Sequence, residues 1–334
     1  MSLSVHEWRF EVGSPDHGNR LDTFLARHLD WRSRNRIQDA IRKNCVRILS
    51  HKDPQQALIG QLKAGLKLRC GQEVVVRLPA PHAEPEAGSR RWEPEQIPIV
   101  FDDDHLLAVN KPPHINVYPS RRHRAGSLIE LVHEAHRRRY GSTHYAPTLC
   151  HRLDRETSGL VLFAKSRSAR AEISRQLEER KVEKTYLALV VGEMPEREGR
   201  IDLPLGRDET SAVEIKSVVT ESGQPATTRW RIARLLAEHT VLELFPETGR
   251  QHQLRAHCAA TGHPIVGDKL YLGGDELFLR SLDGPLSDED IASLGLDRQA
   301  LHAWRMSFSH PATSAPVTLE APLWPDMADL ISSG

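Results

Sequence analysis

Three short segments of the chain set ionisable groups against apolar runs. In HRLDRETSG one carboxylate, Asp154, stands between Arg152 and Arg155, and the chain then turns apolar and β-branched through Leu160, Val161, Leu162 and Phe163. In EKTYLALVVGE, Tyr186 sits at the start of an apolar strand pattern. In PETGRQHQLRAHCAATGHPIVGDKLY, Arg255 falls on a predicted helix over residues 250–260 that stops at Gly262. Gln251 and Arg255, four apart on that helix, share a face, with His252 beside them. A carboxylate among cations, a tyrosine and an arginine could together do nucleophilic or acid–base work. Each also has a plainer explanation alone: a turn acid bonded to nearby backbone, a core tyrosine, a surface helix cation.

Metal chemistry finds little support. The 18 histidines are scattered without HExxH, and His252 and His257 do not share a helical face. Cys45, Cys70, Cys150 and Cys258 are far apart, which argues against a zinc site or a disulfide framework and fits a reducing cytosol. No apolar run reaches signal-peptide or membrane-span length, so a cytoplasmic protein is expected. With 45 basic and 45 acidic residues the formal net charge is zero, so any surface for a polyanion must be local.

The elements that must position these groups can be read in outline. The 334 residues suffice for one large domain or two. RLDTFLARHL and SRNRIQDAIRK predict two amphipathic helices, the second capped by Ser33, and GQEVVVRLP predicts a strand. Between Trp31 and Ser50 six basic residues, Arg32, Arg34, Arg36, Arg42, Lys43 and Arg47, face one acid, Asp39. That bias supports a phosphate-facing surface, the alternative being a solvated helix face. A Pro- and Glu-rich linker is expected over residues 79–97, between a small module at 1–78 and a domain at 98–330. From Ile99 strands and helices alternate, several strands being neighbours with short connections. This predicts an α+β domain on a large, mostly antiparallel mixed sheet flanked by helices. GGDELFLRSLDGPLSDEDIASLGLD, residues 273–297, is acidic and loop-like and reads as a surface insertion.

HRLDRETSG resembles the active-site signature of the RluA-type pseudouridine synthases. FDDDHLLAVNKPPHINVYPS, EKTYLALVVGE, TGRQHQLRAHCAATGHPIVGDKLY, and LHAWRMSFSHP with LEAPL are similar, in order, to that family's further motifs, over residues 99–325. Gln251 departs from the threonine or serine common there. The N-terminal segment is similar to an RNA-binding module first known from a small-subunit ribosomal protein, with VRILSHKDPQQALIG replacing its usual short hairpin.

The resemblance implies that uridine in RNA is isomerised to pseudouridine, with no redox change and therefore no cofactor and no metal. It implies Asp154 as nucleophile, Arg255 as the cation paired with it, and Tyr186 packed on the base and serving late proton transfer. Arg152 is implied to help displace the target base, which must leave its stack. Together with Arg32, Arg34, Arg36, Arg42 and Lys43 it makes the expected RNA-binding set. The arginines 121, 122, 124 and 137–139 are expected to contact phosphates without reading sequence. The expected partner is ribosomal RNA of the large subunit, or else transfer RNA. No membrane is expected, and the protein is expected to be a monomer. A non-catalytic RNA-binding or assembly factor is the alternative class, and it would not need Asp154, Tyr186 and Arg255 together.

Overall fold

The computed structural model describes residues 5–13, 16–28, 34–50, 53–57, 62–79, 92–119, 126–141 and 146–333. The chain divides into two compact units, Met1–Glu84 with Tyr118–Thr148, and Pro85–Val117 with Leu149–Gly334.

The first unit holds β1 (Val5–Glu11), α1 (Leu21–His28), α2 (Arg34–Arg42), β2 (Val46–Ser50), β3 (Asp53–Ala57), β4 (Gln72–Pro79) and α3 (Leu128–Tyr140). Its four strands form an antiparallel sheet in the order β1-β4-β2-β3. The apolar stripes of the two short helices, Leu21, Phe24 and Leu25 with Ile37 and Ile41, close on Val46, Ile48, Val74 and Val76 of the sheet. Asp22, fully buried, joins the helices by accepting from Arg20 Nε (3.0 Å) and Gln38 Nε2 (3.1 Å). β3 lies at the edge of the sheet and pairs with β2, so the segment that departs from the usual short hairpin still makes one. Pro54 is tolerated on such an edge. α3 begins at Ser127, whose N–H donates to the Glu130 carboxylate at 3.0 Å, a capping arrangement written in the sequence as Ser-x-x-Glu. Ser33 and the linker residues 80–91 lie outside the described residues, as do the arginines 121, 122 and 124.

The second unit is built on a ten-stranded sheet. Its elements are β5 (Ile99–Asp102), β6 (Leu106–Lys111), β7 (Thr148–Leu149), β8 (Ser158–Ala164), α4 (Arg167–Glu178), β9 (Glu183–Val191), β10 (Glu198–Asp202), the small pair β11 (Leu205–Arg207) and β12 (Ser217–Val219), β13 (Thr227–Leu235), β14 (His239–Pro246), α5 (Gln253–Ala260), α6 (Gly274–Asp283), α7 (Asp288–Leu294), β15 (Leu301–Ser309), β16 (Pro316–Glu320) and α8 (Pro325–Ser333). The main path runs β10-β13-β14-β9-β15-β8-β6-β5, with β16 beside β15 and β7 beside β8. The pairs along the main path and the β15–β16 pair are antiparallel except β15 with β8. The expected α+β class with a mostly antiparallel mixed sheet is what the chain adopts. β6 and β8 are buried at every residue, which is why residues 106–109 and 160–164 run apolar without alternating, the polar residues standing only at the strand ends. Among the described residues, no helix is long and apolar enough to cross a membrane.

Two local expectations are corrected. The acidic segment 273–297 contains two helices, α6 and α7, rather than a loop. Leu277 and Leu294 are buried from it, and Ser287 caps α7 by accepting from Asp290 N–H at 3.1 Å. The helix expected from residue 250 begins at Gln253, because His252 takes a left-handed conformation (φ 53°). Gln251 is therefore exposed in the preceding turn and shares no helical face with Arg255.

Candidate active site

Asp154 lies in the segment between β7 and β8, and almost every residue after it is tied down. Lys111, at the end of β6 and fully buried, donates to the carbonyls of Arg155 (3.0 Å), Pro112 (2.9 Å) and Ile115 (3.0 Å). An ammonium has three N–H groups, and here each has a carbonyl. Lys269 reaches the Glu156 carboxylate at 2.8 Å, and Gln299 donates to Thr157 Oγ1 at 2.7 Å. Ser158 bonds His302 Nδ1 at 2.9 Å; His302 Nε2 meets the Ala321 carbonyl at 3.1 Å, so Nε2 carries the hydrogen and Nδ1 accepts from the hydroxyl. Gly159 has φ 110°, and a Cβ there would stand 2.3 Å from the Ala303 carbonyl oxygen. Only glycine lets β8 approach β15 this closely, which accounts for the Ser-Gly closing the signature. Such pinning fixes the backbone that carries Asp154.

Arg255 comes from α5, a helix whose polar side chains are buried and individually satisfied. Gln253 donates to the Thr227 carbonyl (2.9 Å) and Thr228 Oγ1 (3.0 Å) and accepts from Arg250 N–H (3.0 Å), while His257 bonds Thr228 Oγ1 (2.9 Å) and the Leu203 carbonyl (3.0 Å). Arg255 itself, 5 % exposed, is held by two carboxylates. Asp268, fully buried, accepts from Nε at 2.6 Å and Nη2 at 2.8 Å in the fork geometry that guanidinium favours. Asp154 accepts from the remaining Nη1 at a longer 3.4 Å, and its side chain is 30 % exposed. Asp268 also accepts from the N–H groups of Leu270 and Tyr271, both at 3.0 Å. Burial opposes its charge, but Arg255 and these N–H groups outweigh burial and hold its carboxyl below the usual range. The Tyr271 ring lies 5.0 Å from the Arg255 Cζ, and its hydroxyl donates to the Ser217 carbonyl at 2.9 Å. This closes the guanidinium from behind.

Tyr186 projects from β9, half-buried, in register with Leu244 of β14 and Ala303 of β15. Burial first, and then the negative charge of Asp154, push its phenol up, so it stays protonated at neutral pH. The structure thus draws Asp154, Tyr186 and Arg255 from three distant parts of the sequence to one place. Arg152 is exposed on the segment that carries Asp154. The cations of the first unit are a separate set. Arg42 and Lys43 are exposed at the end of α2, and both pair with Asp39, at 3.5 and 2.8 Å. Arg34 and Arg36 lie within α2, and Arg32 lies outside the described residues.

Asp268, which holds Arg255 from behind the site, carries no signal in the sequence. It stands in PIVGDKLY, which reads as an ordinary turn after a helix, and nothing local marks it as the partner of an arginine thirteen residues earlier.

A family model described as RNA pseudouridylate synthase matches residues 105–260. The chain is 34% identical over 338 residues to ribosomal large subunit pseudouridine synthase D of Nitrosomonas europaea, covering 98% of this chain and 88% of that protein. It is 33% identical over 328 residues to ribosomal large subunit pseudouridine synthase C of Pasteurella multocida, covering 96% and 92%. Among solved structures, human RNA pseudouridylate synthase domain containing 1 is similar with a TM-score of 0.55 and 26% identity, over 72% of this chain and 90% of that one.

Proposed function

Because this chain belongs to the RNA pseudouridylate synthase family, we propose that it isomerises uridines of large-subunit ribosomal RNA with Asp154 as nucleophile. The observation that carries the assignment of the nucleophile is the inequality of Arg255's two carboxylates. Asp268 is buried and takes two short bonds, whereas Asp154 takes one long bond and its side chain remains partly exposed, open to a substrate. The ribosomal substrate rests on the names and the near-complete coverage of the relatives from Nitrosomonas and Pasteurella.

The reaction breaks the bond from ribose carbon 1′ to base nitrogen 1 and joins carbon 1′ to carbon 5. Nitrogen 1 gains one proton and carbon 5 loses one, so the balance needs no cofactor. Asp154 supplies the attacking oxygen, and Arg255 keeps a positive charge beside it throughout. Tyr186 lies against the base. Its phenol holds a proton, so it acts late as a relay: its oxygen takes the proton from carbon 5 as its own proton passes through water to nitrogen 1, and Asp154 leaves as the free carboxylate. Arg152, exposed beside the site, assists extrusion of the uridine, a step costing a few kcal/mol. The N-terminal unit, with Arg34, Arg36, Arg42 and Lys43, holds RNA phosphates.

The test is release of tritium from RNA labelled at uridine carbon 5, comparing large-subunit ribosomal transcripts with transfer RNA. Release from the ribosomal transcripts supports the reading. Release from transfer RNA alone would transfer the substrate to that class, and none from either would contradict catalysis.

A further inference from the structure

We propose that Lys184 binds a backbone phosphate of the RNA beside the target uridine. The inference rests on the reading above that the chain acts on RNA. Lys184 precedes Tyr186 by two residues on β9, so both side chains leave the same face of the strand, roughly 6–7 Å apart along it. The charge of Lys184 acts on His151, just as the charge of Asp154 acts on Tyr186. Lys184 therefore stands near His151 of the HRLD segment, close enough along β9 to Tyr186 for one nucleotide to reach both the ring and the ammonium.

The lysines nearby show what is unusual about it. Lys111 gives its hydrogens to three carbonyls, Lys269 to Glu156 and the Asp297 carbonyl, and Lys165 to Asp102. Among the described residues, Lys184 has no carboxylate or carbonyl partner. It is half-buried, and burial alone pulls it down to about 8. A desolvated cation without a counter-charge works against folding. The permanent full negative charges of RNA are its phosphates, so a phosphate is the partner that offsets this cost in the bound state. A charge that works against folding at a substrate site is the pattern of a residue kept for binding.

The experiment uses the full chain as wild type, Lys184→Met and Lys184→Arg, with RNAs in which each linkage flanking the target is replaced singly by an uncharged methylphosphonate. Lys184→Met keeps the apolar stem, so its melting temperature should equal or exceed the wild type's. Its KM should rise on the order of ten- to a hundredfold, the size of a charged hydrogen bond, with kcat changed less. Its binding should show a salt slope smaller by about 0.7–0.9, and Lys184→Arg should restore that slope. One methylphosphonate should weaken wild type and leave Lys184→Met unaffected, the non-additivity of two partners in one contact. The proposal is overturned if every methylphosphonate costs both proteins alike. It is equally overturned if Lys184→Met lowers kcat with KM and salt slope intact, which would assign the lysine to the base, or if it lowers the melting temperature, which would make it structural. Binding of the same RNAs is read separately from turnover. A wild type that binds with this signature but forms no pseudouridine would sink the functional reading and spare the phosphate contact.

Discussion

At the scale of single residues, Arg255 is shared unequally. Its two bonds to Asp268 fix the plane of the guanidinium, and the nitrogen left over points at Asp154. Asp154→Asn should abolish turnover while leaving the Arg255–Asp268 pair whole, so its stability should change by no more than ~1 kcal/mol, as for a partly exposed ion pair. Asp268→Asn breaks a buried pair, for which a loss of about 3–5 kcal/mol is the usual scale, and it should lower kcat as well, because Arg255 loses its anchor. Denaturant melts beside single-turnover rates check both. If Asp268→Asn folds as well as wild type and works as fast, the anchoring role is wrong. That Asp154, Tyr186 and Arg255 belong together was legible in the sequence because each sits in a patterned segment that resembles a family motif. Taken alone, Arg255 reads better as a surface helix cation, and its burial rules that out. Asp268 was not legible, since pairing across a turn is a property of the folded chain.

At the scale of elements, the segment carrying Asp154 is a span of backbone fixed from β6, from the residues after α5 and from β15. β8 and β9 announced themselves by apolar runs. The role of β15 did not, because LHAWRMSFS mixes polar and apolar residues to suit neighbours that no local pattern reveals: Ser158 on one side and the Ala321 carbonyl on the other both call for His302. Burial holds His302 down at about 4, so it is neutral in the folded protein across most of the pH range. In the unfolded chain a histidine titrates near 6.5. Between these values the unfolded state binds the extra proton, so stability falls as pH drops from about 6.5 to about 4, at up to ~1.4 kcal/mol per pH unit for this residue. His302→Gln can keep both hydrogen bonds but not the titration. It should flatten the stability–pH slope by about one proton in that window. Urea melts from pH 4 to 7 measure this, and an unchanged slope would show that His302 is not the group responsible. α6 and α7 were read as loop because acidic residues dominate the composition there. Their two buried leucines and the Ser287 cap were too sparse a signal to outweigh it.

At the scale of the whole molecule, a formal net charge of zero means that attraction to RNA comes from local surfaces rather than from an overall field. The compact units also do not follow contiguous stretches of sequence, since Tyr118–Thr148 goes with Met1–Glu84. Composition marks linkers, and it carries no mark of a chain that returns to an earlier unit. In the first unit Asp39 pairs with Arg42 and Lys43, so on the proposed reading it would compete with RNA phosphates for them. Asp39→Asn should therefore tighten RNA binding, whereas Arg42→Gln with Lys43→Gln should weaken it and reduce the salt slope by about 0.7–0.9 per lost phosphate contact. Equal affinities and slopes over a salt series would return these cations to a solvated face. The account as a whole turns on one activity exerted through one carboxylate. Its most direct test is a map of pseudouridines in ribosomal RNA from cells lacking this protein, complemented with wild type or with Asp154→Asn. The account predicts that particular large-subunit uridines are unmodified in the deletion, regained with wild type and not with Asp154→Asn. A map unchanged by the deletion, or one restored by Asp154→Asn, would contradict it.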